Sequence, residues 1–172
     1  MNTELKKKPA IYLSGSIEHS KNYQTWRKKM YKVLRGYYKV IIPEKADCPF
    51  DKTDFEFKTW IHDNTVMKDM INVITSRHFF VKIDKAVLKG AGTISEITTA
   101  SWQDKQMVVM LDGVKEQDLP TWMLGCLAGA VFVDSIDKAI ENKGITYRGQ
   151  QIKEKLAPYL IPLRKAASPI EQ

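Results

Sequence analysis

The stretch that decides the fold is HFFVKIDKAVLKGAGTISEITTASWQDKQMVVML, residues 78–111. It begins and ends with near-continuous apolar runs, HFFVKID (78–84) and QMVVML (106–111). Runs of this kind are typical of parallel strands that are covered on both faces of a sheet. We expect a helix over residues 93–104 between them. A strand, a helix and a second strand in this order predict a parallel βαβ unit.

The rest of the chain continues the same alternation. Further strands are expected at PAIYLS (9–14), YKVIIP (38–43) and AVFV (130–133), and helices at about 20–35, 57–74 and 134–142, with Ser135 as the N-cap of the last. This pattern predicts the α/β class, with a Rossmann-like (flavodoxin-like), doubly wound parallel five-stranded sheet and helices on both faces. We expect one domain over residues 1–172, with a core at about 9–145 and a C-terminal helix and tail at 146–172.

Composition restricts the function classes. The chain has 27 Lys and Arg against 20 Asp and Glu, a net charge of +7, which would attract polyanions. The basic residues are dispersed, however, and no nucleic-acid-binding motif accompanies them, which argues against a nucleic-acid partner. Cys48 and Cys126 are too few for a disulfide framework. With neither a signal peptide nor an apolar run of about 20 residues, we expect a cytoplasmic protein that does not enter membranes.

In a doubly wound sheet, ligands bind beyond the carboxyl ends of the strands. Three segments lie at such ends: LSGSIE after the first strand, DKAVLKGAGTISE after the third and LDGVKEQDLPTW after the fourth. We therefore expect the site of a small molecule in these segments. His19, His62 and His78 are scattered, without the spacing of metal ligands, so we predict no metal and no cofactor.

The segment LKGAGTISE allows several interpretations. It is a weak phosphate motif, because it lacks the Gly-Lys-Ser/Thr of a Walker loop. The amides of Gly92 and Thr93 could still hold an oxygen-rich group, or the glycines could only permit a tight turn. Glu96 could form a capping box with Thr93. Alternatively, its carboxylate could attack an electrophilic carbon at the ligand-binding edge.

Three more side chains are candidates with plain structural alternatives. Asp84 ends the third strand, where an acid either binds substrate or caps a turn. Asp69 lies on the polar flank of the second helix, where a surface acid is the usual finding. Tyr12 lies within the first strand, where a buried structural tyrosine is expected. The residue types alone do not rank these candidates.

Four segments in order resemble the nucleoside 2-deoxyribosyltransferase family, which includes related deoxynucleoside and deoxynucleotide N-glycosidases. They are IYLSGSI, WRKKM, KDMINVI and GTISEITTA, and the resemblance covers roughly residues 10–140. It implies that Glu96 is the nucleophile that forms a covalent deoxyribosyl intermediate. It also implies that Tyr12 orients Glu96 and that Asp69 acts on the departing or incoming base. Gly15 and Gly92 match positions where the backbone approaches the sugar.

The same resemblance extends to partners and specificity. PTWMLGCLAGAVFV is similar to a segment that one subunit lends to its neighbour's site, with Thr121 and Met123 at the contributing positions. This implies a homodimer or larger homo-oligomer with shared active sites. The chain departs from the best-known branch of the family at two positions. Gly90 stands where an aspartate contacts the base, and Thr121 stands where an asparagine is expected, so that Asp84 could take over part of the base contact.

The expected substrates are a nucleoside or nucleotide and a free nucleobase. The favoured activity is transfer of deoxyribose between bases. The alternatives are a hydrolase that acts on deoxynucleosides or their 5′-monophosphates and a non-catalytic nucleotide-binding module. SGSI resembles the phosphate-binding opening of the 5′-monophosphate N-glycosidases, so Ser14 or Ser16 could bind a 5′-phosphate.

Overall fold

Five parallel strands form one sheet in the order β2-β1-β3-β4-β5. They are β1 (Ala10–Gly15), β2 (Lys39–Ile41), β3 (His78–Ile83), β4 (Gln106–Leu111) and β5 (Val131–Val133). The α-helices of the described part are α1 (Tyr23–Leu34), α2 (Phe55–Ile61), α3 (Met67–Thr75), α4 (Ala91–Trp102) and α5 (Thr121–Cys126). The computed structural model describes residues 8–20 and 23–135. Most of the helix expected over 134–142, and the whole C-terminal segment 146–172, lie outside these residues.

The sheet confirms the predicted fold class. Apolar side chains alternate between its two faces along β3, because successive residues of a strand point to opposite sides. Phe79 and Val81 pack with Ile97 of α4, in the core that α3, α4 and α5 cover. Phe80 packs with Met30 of α1 on the opposite face. Helices therefore lie on both faces, as the continuous apolar strands predict.

The strand order has its switch point between β1 and β3. The chain leaves β1 toward β2 on one side and returns to β3 on the other. In folds of this kind the crevice at the carboxyl ends of the two central strands binds ligands. The residues that follow Gly15 and Ile83 thus lie at the expected position for a site.

The long second helix differs from the prediction. A π-helical turn at His62–Val66 separates α2 from α3. One extra residue in a helical turn rotates everything after it by about 100°, which moves the following residues to a different face. The predicted apolar face is therefore only half correct. Phe57, Trp60 and Ile61 are half-buried, whereas Met67, Ile71 and Ile74 are 42%, 53% and 48% exposed.

Two helices also begin where the sequence did not indicate it. The third predicted helix starts at Ala91 rather than Thr93 and ends at Trp102. Gly92 and Thr93 therefore belong to its first turn, and Gly90 is its N-cap residue. The short helix α5 lies within PTWMLGC, a segment for which no helix was predicted. Neither difference affects the sheet.

Candidate active site

Glu96 is the centre of the candidate site. It lies in α4 and is only 7% exposed. The Tyr12 hydroxyl donates a hydrogen bond to Glu96 Oε1 at 2.8 Å, and the Ser14 hydroxyl donates a short hydrogen bond to Glu96 Oε2. Tyr12 and Ser14 are two residues apart on β1, so both point to the same face of the sheet. Both carboxyl oxygens are thereby held by hydroxyl donors from one strand.

These contacts settle the interpretation of the Thr93–Glu96 spacing. A capping box would require the Glu96 side chain to accept a hydrogen bond at the start of the helix. Instead the N-cap is Gly90, without a side-chain cap, and the Glu96 carboxyl is bonded to Tyr12 and Ser14. Glu96 therefore does not stabilise the end of its own helix.

Burial raises the pKa of Glu96 to about 7. The hydrogen bonds from Ser14 and Tyr12 favour the carboxylate and limit the rise, as does the positive charge of Arg27. The nearby charge of Asp69 acts in the opposite direction. At neutral pH the neutral acid and a poorly solvated carboxylate, which is the nucleophilic form, are therefore both populated.

Asp69 lies in α3 and lines the same cavity as Glu96. Burial raises the pKa of Asp69, and an interaction with the Tyr12 hydroxyl and the charges of Lys68 and Arg27 oppose that rise. The Tyr12 hydroxyl thus interacts with both acids. Its own pKa is raised strongly by burial and by the two carboxylates, so Tyr12 remains a proton donor.

Arg27 is a buried cation. In the sequence it was noted only as part of the WRKKM motif and was assigned no role. Its side chain is fully buried and donates hydrogen bonds to the carbonyl oxygens of Leu13 at 3.3 Å, Gly15 at 2.6 Å and Tyr23 at 2.7 Å. The guanidinium carbon lies 4.6 Å from the centre of the Trp26 ring. Burial lowers the pKa of Arg27, and the charge of Glu96 opposes that change. A charge held this way supports the end of β1 and favours the Glu96 carboxylate.

The position of Gly15 requires glycine. Its φ of +154° is rarely adopted by residues with a side chain, and a Cβ there would lie 3.0 Å from Cζ2 of Trp26 and 3.2 Å from the carbonyl oxygen of Lys82. The only signal in the sequence was that a glycine follows a strand. The structure shows that close packing of β1, β3 and α1 at the strand end depends on it.

A cavity of about 570 Å³ opens above Glu96. Segments from five parts of the chain line it: the loop after β1, the segment 44–52, the α2–α3 region, the turn at 86–87 and the N-terminal end of α4. Six of the predicted site residues lie in its wall, namely Gly15, Ser16, Asp69, Gly92, Thr93 and Glu96. Its volume suits a small organic ligand. Tyr12 lies behind the wall, where it contacts Glu96.

Asp84, Thr121 and Met123 do not line this cavity. The Asp84 carboxylate accepts hydrogen bonds from the amides of Ala86 at 2.9 Å and Val87 at 3.1 Å and pairs with Lys82 at 3.1 Å. This is the turn-capping alternative, and it occupies the carboxylate that was expected to contact a base. Met123 is 2% exposed and packs in the core of its own chain.

The segment expected to contribute to a neighbouring subunit's site differs in exposure along its length. Met123 packs in the core of its own chain, so the contribution of this residue to a neighbouring subunit remains a prediction. Thr121 and Trp122 are the exposed residues at the start of α5. Of the two serines that were expected to bind a 5′-phosphate, Ser14 donates its hydroxyl to Glu96. Ser16 is the one that lines the cavity.

Two general features complete the description of residues 8–20 and 23–135. No cluster of three or more His, Cys, Asp or Glu side chains in these residues could hold a metal ion. Within the same residues, every helix is too short or too polar to cross a bilayer.

Comparison with known proteins supports the fold alone. No protein-family model and no curated protein matches the chain. Among solved structures, the chain is similar to one described as a conserved protein from Enterococcus faecalis V583, with a TM-score of 0.55 and 17% identity. That similarity covers 78% of this chain and 96% of the other. At this identity it bears on the α/β architecture and not on the activity.

Proposed function

We propose that this protein is a nucleoside 2-deoxyribosyltransferase, which cleaves the N-glycosidic bond of a 2′-deoxynucleoside and transfers the deoxyribose to another nucleobase. The observation that carries the proposal is the Glu96 carboxyl in the cavity wall, held at both oxygens by Tyr12 and Ser14, with Asp69 in the same wall. A buried carboxylate with fixed orientation beside a second carboxyl provides a nucleophile and a separate proton donor.

In the first step a Glu96 oxygen attacks the anomeric carbon. A carbon–oxygen ester bond forms, and the carbon–nitrogen bond to the base breaks, with its electron pair moving to the base. Positive charge develops on the sugar during this step and is stabilised by the carboxylate. Asp69 gives its proton to the departing base. Burial raises the pKa of Asp69, which favours the protonated form that this step needs.

In the second step an incoming base attacks the same carbon. The new carbon–nitrogen bond forms, the ester bond breaks, and Glu96 leaves as the carboxylate. Asp69 takes the proton that the incoming base loses, so that both groups return to their initial states. Tyr12 and Ser14 hold the leaving carboxylate by the hydrogen bonds seen here. The cycle needs no reactant other than the deoxynucleoside and the incoming base.

A hydrolase is the second candidate, since water can resolve the same ester. Lys45 and Lys52 line the cavity and could attract a 5′-phosphate, which favours deoxynucleoside 5′-monophosphates as its substrates. Lys52 is engaged with Glu18 at 3.3 Å, so a phosphate would have to compete for it.

The proposal includes a homo-oligomer with shared sites. Apolar side chains on the outer side of α3, Met67, Ile71 and Ile74, are exposed, as are Trp102 and Trp122. Contact between subunits would remove such side chains from water. Sedimentation velocity on the full chain tests this part, and a single species with the mass of one chain contradicts it.

The activity is tested by incubating the protein with a deoxynucleoside, with and without a second free base. Formation of the new deoxynucleoside supports the transferase, and release of free deoxyribose alone supports the hydrolase. The same assay with the 5′-monophosphate shows whether phosphate is part of the substrate. Lack of reaction with every nucleoside and nucleotide contradicts both activities and leaves the binding module.

The matched control is Glu96→Gln, which keeps the size of the side chain but not its charge. We expect it to lose turnover while its circular dichroism spectrum is unchanged. Turnover by the variant equal to that of the wild type would show that Glu96 is not the nucleophile.

A further inference from the structure

The α2–α3 region contributes a row of side chains to the cavity wall. They follow one another at a spacing of four residues and are Phe57, Ile61, Thr65 and Asp69. In a regular α-helix each step of four residues advances about 40° around the axis, because 3.6 residues make one turn. From Phe57 to Asp69 the row would therefore drift by about 120°, away from the side of the helix on which it began.

The π-helical turn at His62–Val66 corrects this drift. The amide of Met67 donates to the carbonyl oxygen of His62, five residues earlier, so the turn holds one residue more than an α-helical turn. The extra residue takes back about 100° of rotation, which returns Asp69 to within about 20° of the direction of Phe57. Thr65 lies inside the wide turn, on the same side of the helix, and precedes Asp69 by one turn.

The Thr65 hydroxyl is the unusual group in this row. Its oxygen is shielded from solvent and has no hydrogen-bond partner among the described residues. Other helical threonines of the chain donate their hydroxyls to the carbonyl oxygen four residues earlier, as Thr75 does at 2.8 Å and Thr98 at 2.9 Å. Thr65 lies where the wide turn changes the geometry between residues four apart, and it does not form this bond.

Folding does not account for a hydroxyl at this position. A hydroxyl that is withdrawn from water without a partner destabilises the folded protein. Valine has nearly the same shape as threonine and a similar helix propensity, so stability alone would favour valine at position 65. A buried polar group that is left unpaired in a native structure therefore points to another role.

Rotation about the Cα–Cβ bond can bring the hydroxyl into the cavity. Thr65 lines the cavity although its oxygen is shielded, and threonine in a helix has two accessible χ1 rotamers. The change of rotamer breaks no hydrogen bond within the part of the chain that the structure describes. A ligand that offers a polar atom in the cavity is thus a partner for this group.

Asp69 indicates which part of the ligand lies nearby. Residues four apart on one side of a helix are neighbours, with Cβ atoms about 5–6 Å apart. In the proposed reaction Asp69 exchanges a proton with the base, which places the base beside this stretch of the helix. The polar atoms of a base are distributed around its edge. A hydroxyl can donate to some of them and accept from others.

We propose that the Thr65 hydroxyl forms a hydrogen bond to the nucleobase beside Asp69, and that the π-helical turn places it there. This inference rests on the proposed function, since it adds a base-binding residue to the same cavity. The contact is separate from the chemistry at Glu96, so it is measured by binding of the base and without turnover.

Two variants at this position test the contact. Thr65→Val replaces the hydroxyl by a methyl group of similar size, and Thr65→Ser keeps the hydroxyl. Without ligand, Thr65→Val should unfold at a temperature equal to or above that of the wild type, because it loses only an unpaired group.

Equilibrium binding of free adenine, hypoxanthine, cytosine and thymine to the full-length proteins is then compared. For the base that the wild type binds most tightly, Thr65→Val should bind about 5- to 20-fold more weakly, as expected for one buried hydroxyl hydrogen bond. Thr65→Ser should stay within about 3-fold of the wild type. A gain or retention of stability together with a loss of affinity is the result that a purely structural threonine would not give.

Unchanged affinity in Thr65→Val overturns the inference, and so does a Thr65→Ser variant that binds as weakly as Thr65→Val. A lower unfolding temperature of Thr65→Val overturns it as well, since the hydroxyl would then have a partner in the unliganded protein. If the wild type binds none of the four bases, the inference is overturned whatever the activity.

The same measurements separate this inference from the proposed function. If the wild type transfers deoxyribose while Thr65→Val binds the bases normally, the inference falls and the proposed function stands. If base binding depends on the Thr65 hydroxyl but no nucleoside or nucleotide is processed, the inference stands and the proposed activity falls.

Discussion

Replacement of Glu96 by glutamine should make the folded protein more stable while it removes activity. The wild-type carboxyl has a pKa raised from 4.5 to about 7 by burial. Between these two values the native state keeps a proton that the unfolded chain has released. The free energy of unfolding therefore falls as the pH rises through this window. The neutral amide of Glu96→Gln has no such dependence.

The size of the effect follows from the shift. At 1.36 kcal/mol per pKa unit, the rise of Glu96 corresponds to roughly 3 kcal/mol of stability lost by the wild type above about pH 7. Urea unfolding, followed by fluorescence of the four tryptophans, measures the free energy of unfolding of both proteins. The difference between variant and wild type should grow by that amount from about pH 4.5 to about pH 8.

Titrating groups that do not interact with Glu96 are common to both proteins and cancel in this difference. A difference that is the same at both ends of the pH range would refute the reasoning, because it would mean that Glu96 ionises in the folded protein as it does in water. A loss of stability in Glu96→Gln at high pH would refute it equally. We therefore propose that stability is given up for reactivity at this site.

Three further predictions concern neighbouring positions. Ser14→Ala removes a hydroxyl that favours the Glu96 carboxylate. The acid limb of the kcat/KM–pH profile should therefore move to higher pH by about one to two pH units, as expected for the loss of a hydrogen bond to a charged group. An equal loss of kcat/KM at every pH would contradict this. Gly15→Ala brings a Cβ to 3.0 Å from Trp26. Thermal unfolding should show that the free energy of unfolding falls by about 1–3 kcal/mol. A variant as stable as the wild type would show that the strand end tolerates a side chain. Burial lowers the pKa of His78, whose Nδ1 has no hydrogen-bond partner among residues 8–20 and 23–135. Stability should therefore fall as the pH drops below about 6.5, where the unfolded chain binds the extra proton. His78→Phe should reduce this fall, and an identical pH dependence in both proteins would contradict it.

The sheet could be predicted from the sequence because the signals for its strands are local. The apolar runs 78–84 and 106–111 and the glycines between them predict the βαβ unit without knowledge of any distant contact. The start of α4 was not predicted correctly, because Gly90 and Gly92 both permit a helix to begin. The π-helical turn at His62–Val66 has no comparable signal, and it determines which apolar residues of α3 remain exposed.

Part of the candidate site could also be predicted from the sequence. Glu96, Tyr12 and Asp69 were selected through the family resemblance, and the structure brings Tyr12 and Glu96 into contact. The role of Ser14 was missed, although its spacing of two from Tyr12 on a strand places both hydroxyls on one face. Arg27 was not identifiable, since a single Arg among the lysines of a helix gives no sign that it is fully buried.

The proposed mechanism depends on the covalent intermediate at Glu96, which mass spectrometry detects. The protein is mixed with a deoxynucleoside, quenched with acid within the first turnover and digested with trypsin. Cleavage after Lys89 and Lys105 isolates a peptide whose only glutamate is Glu96. We expect that this peptide gains the mass of one deoxyribosyl group, that fragmentation places it on Glu96, and that a second base removes it. Release of the base without any adduct on this peptide, or an adduct on another residue, would contradict it.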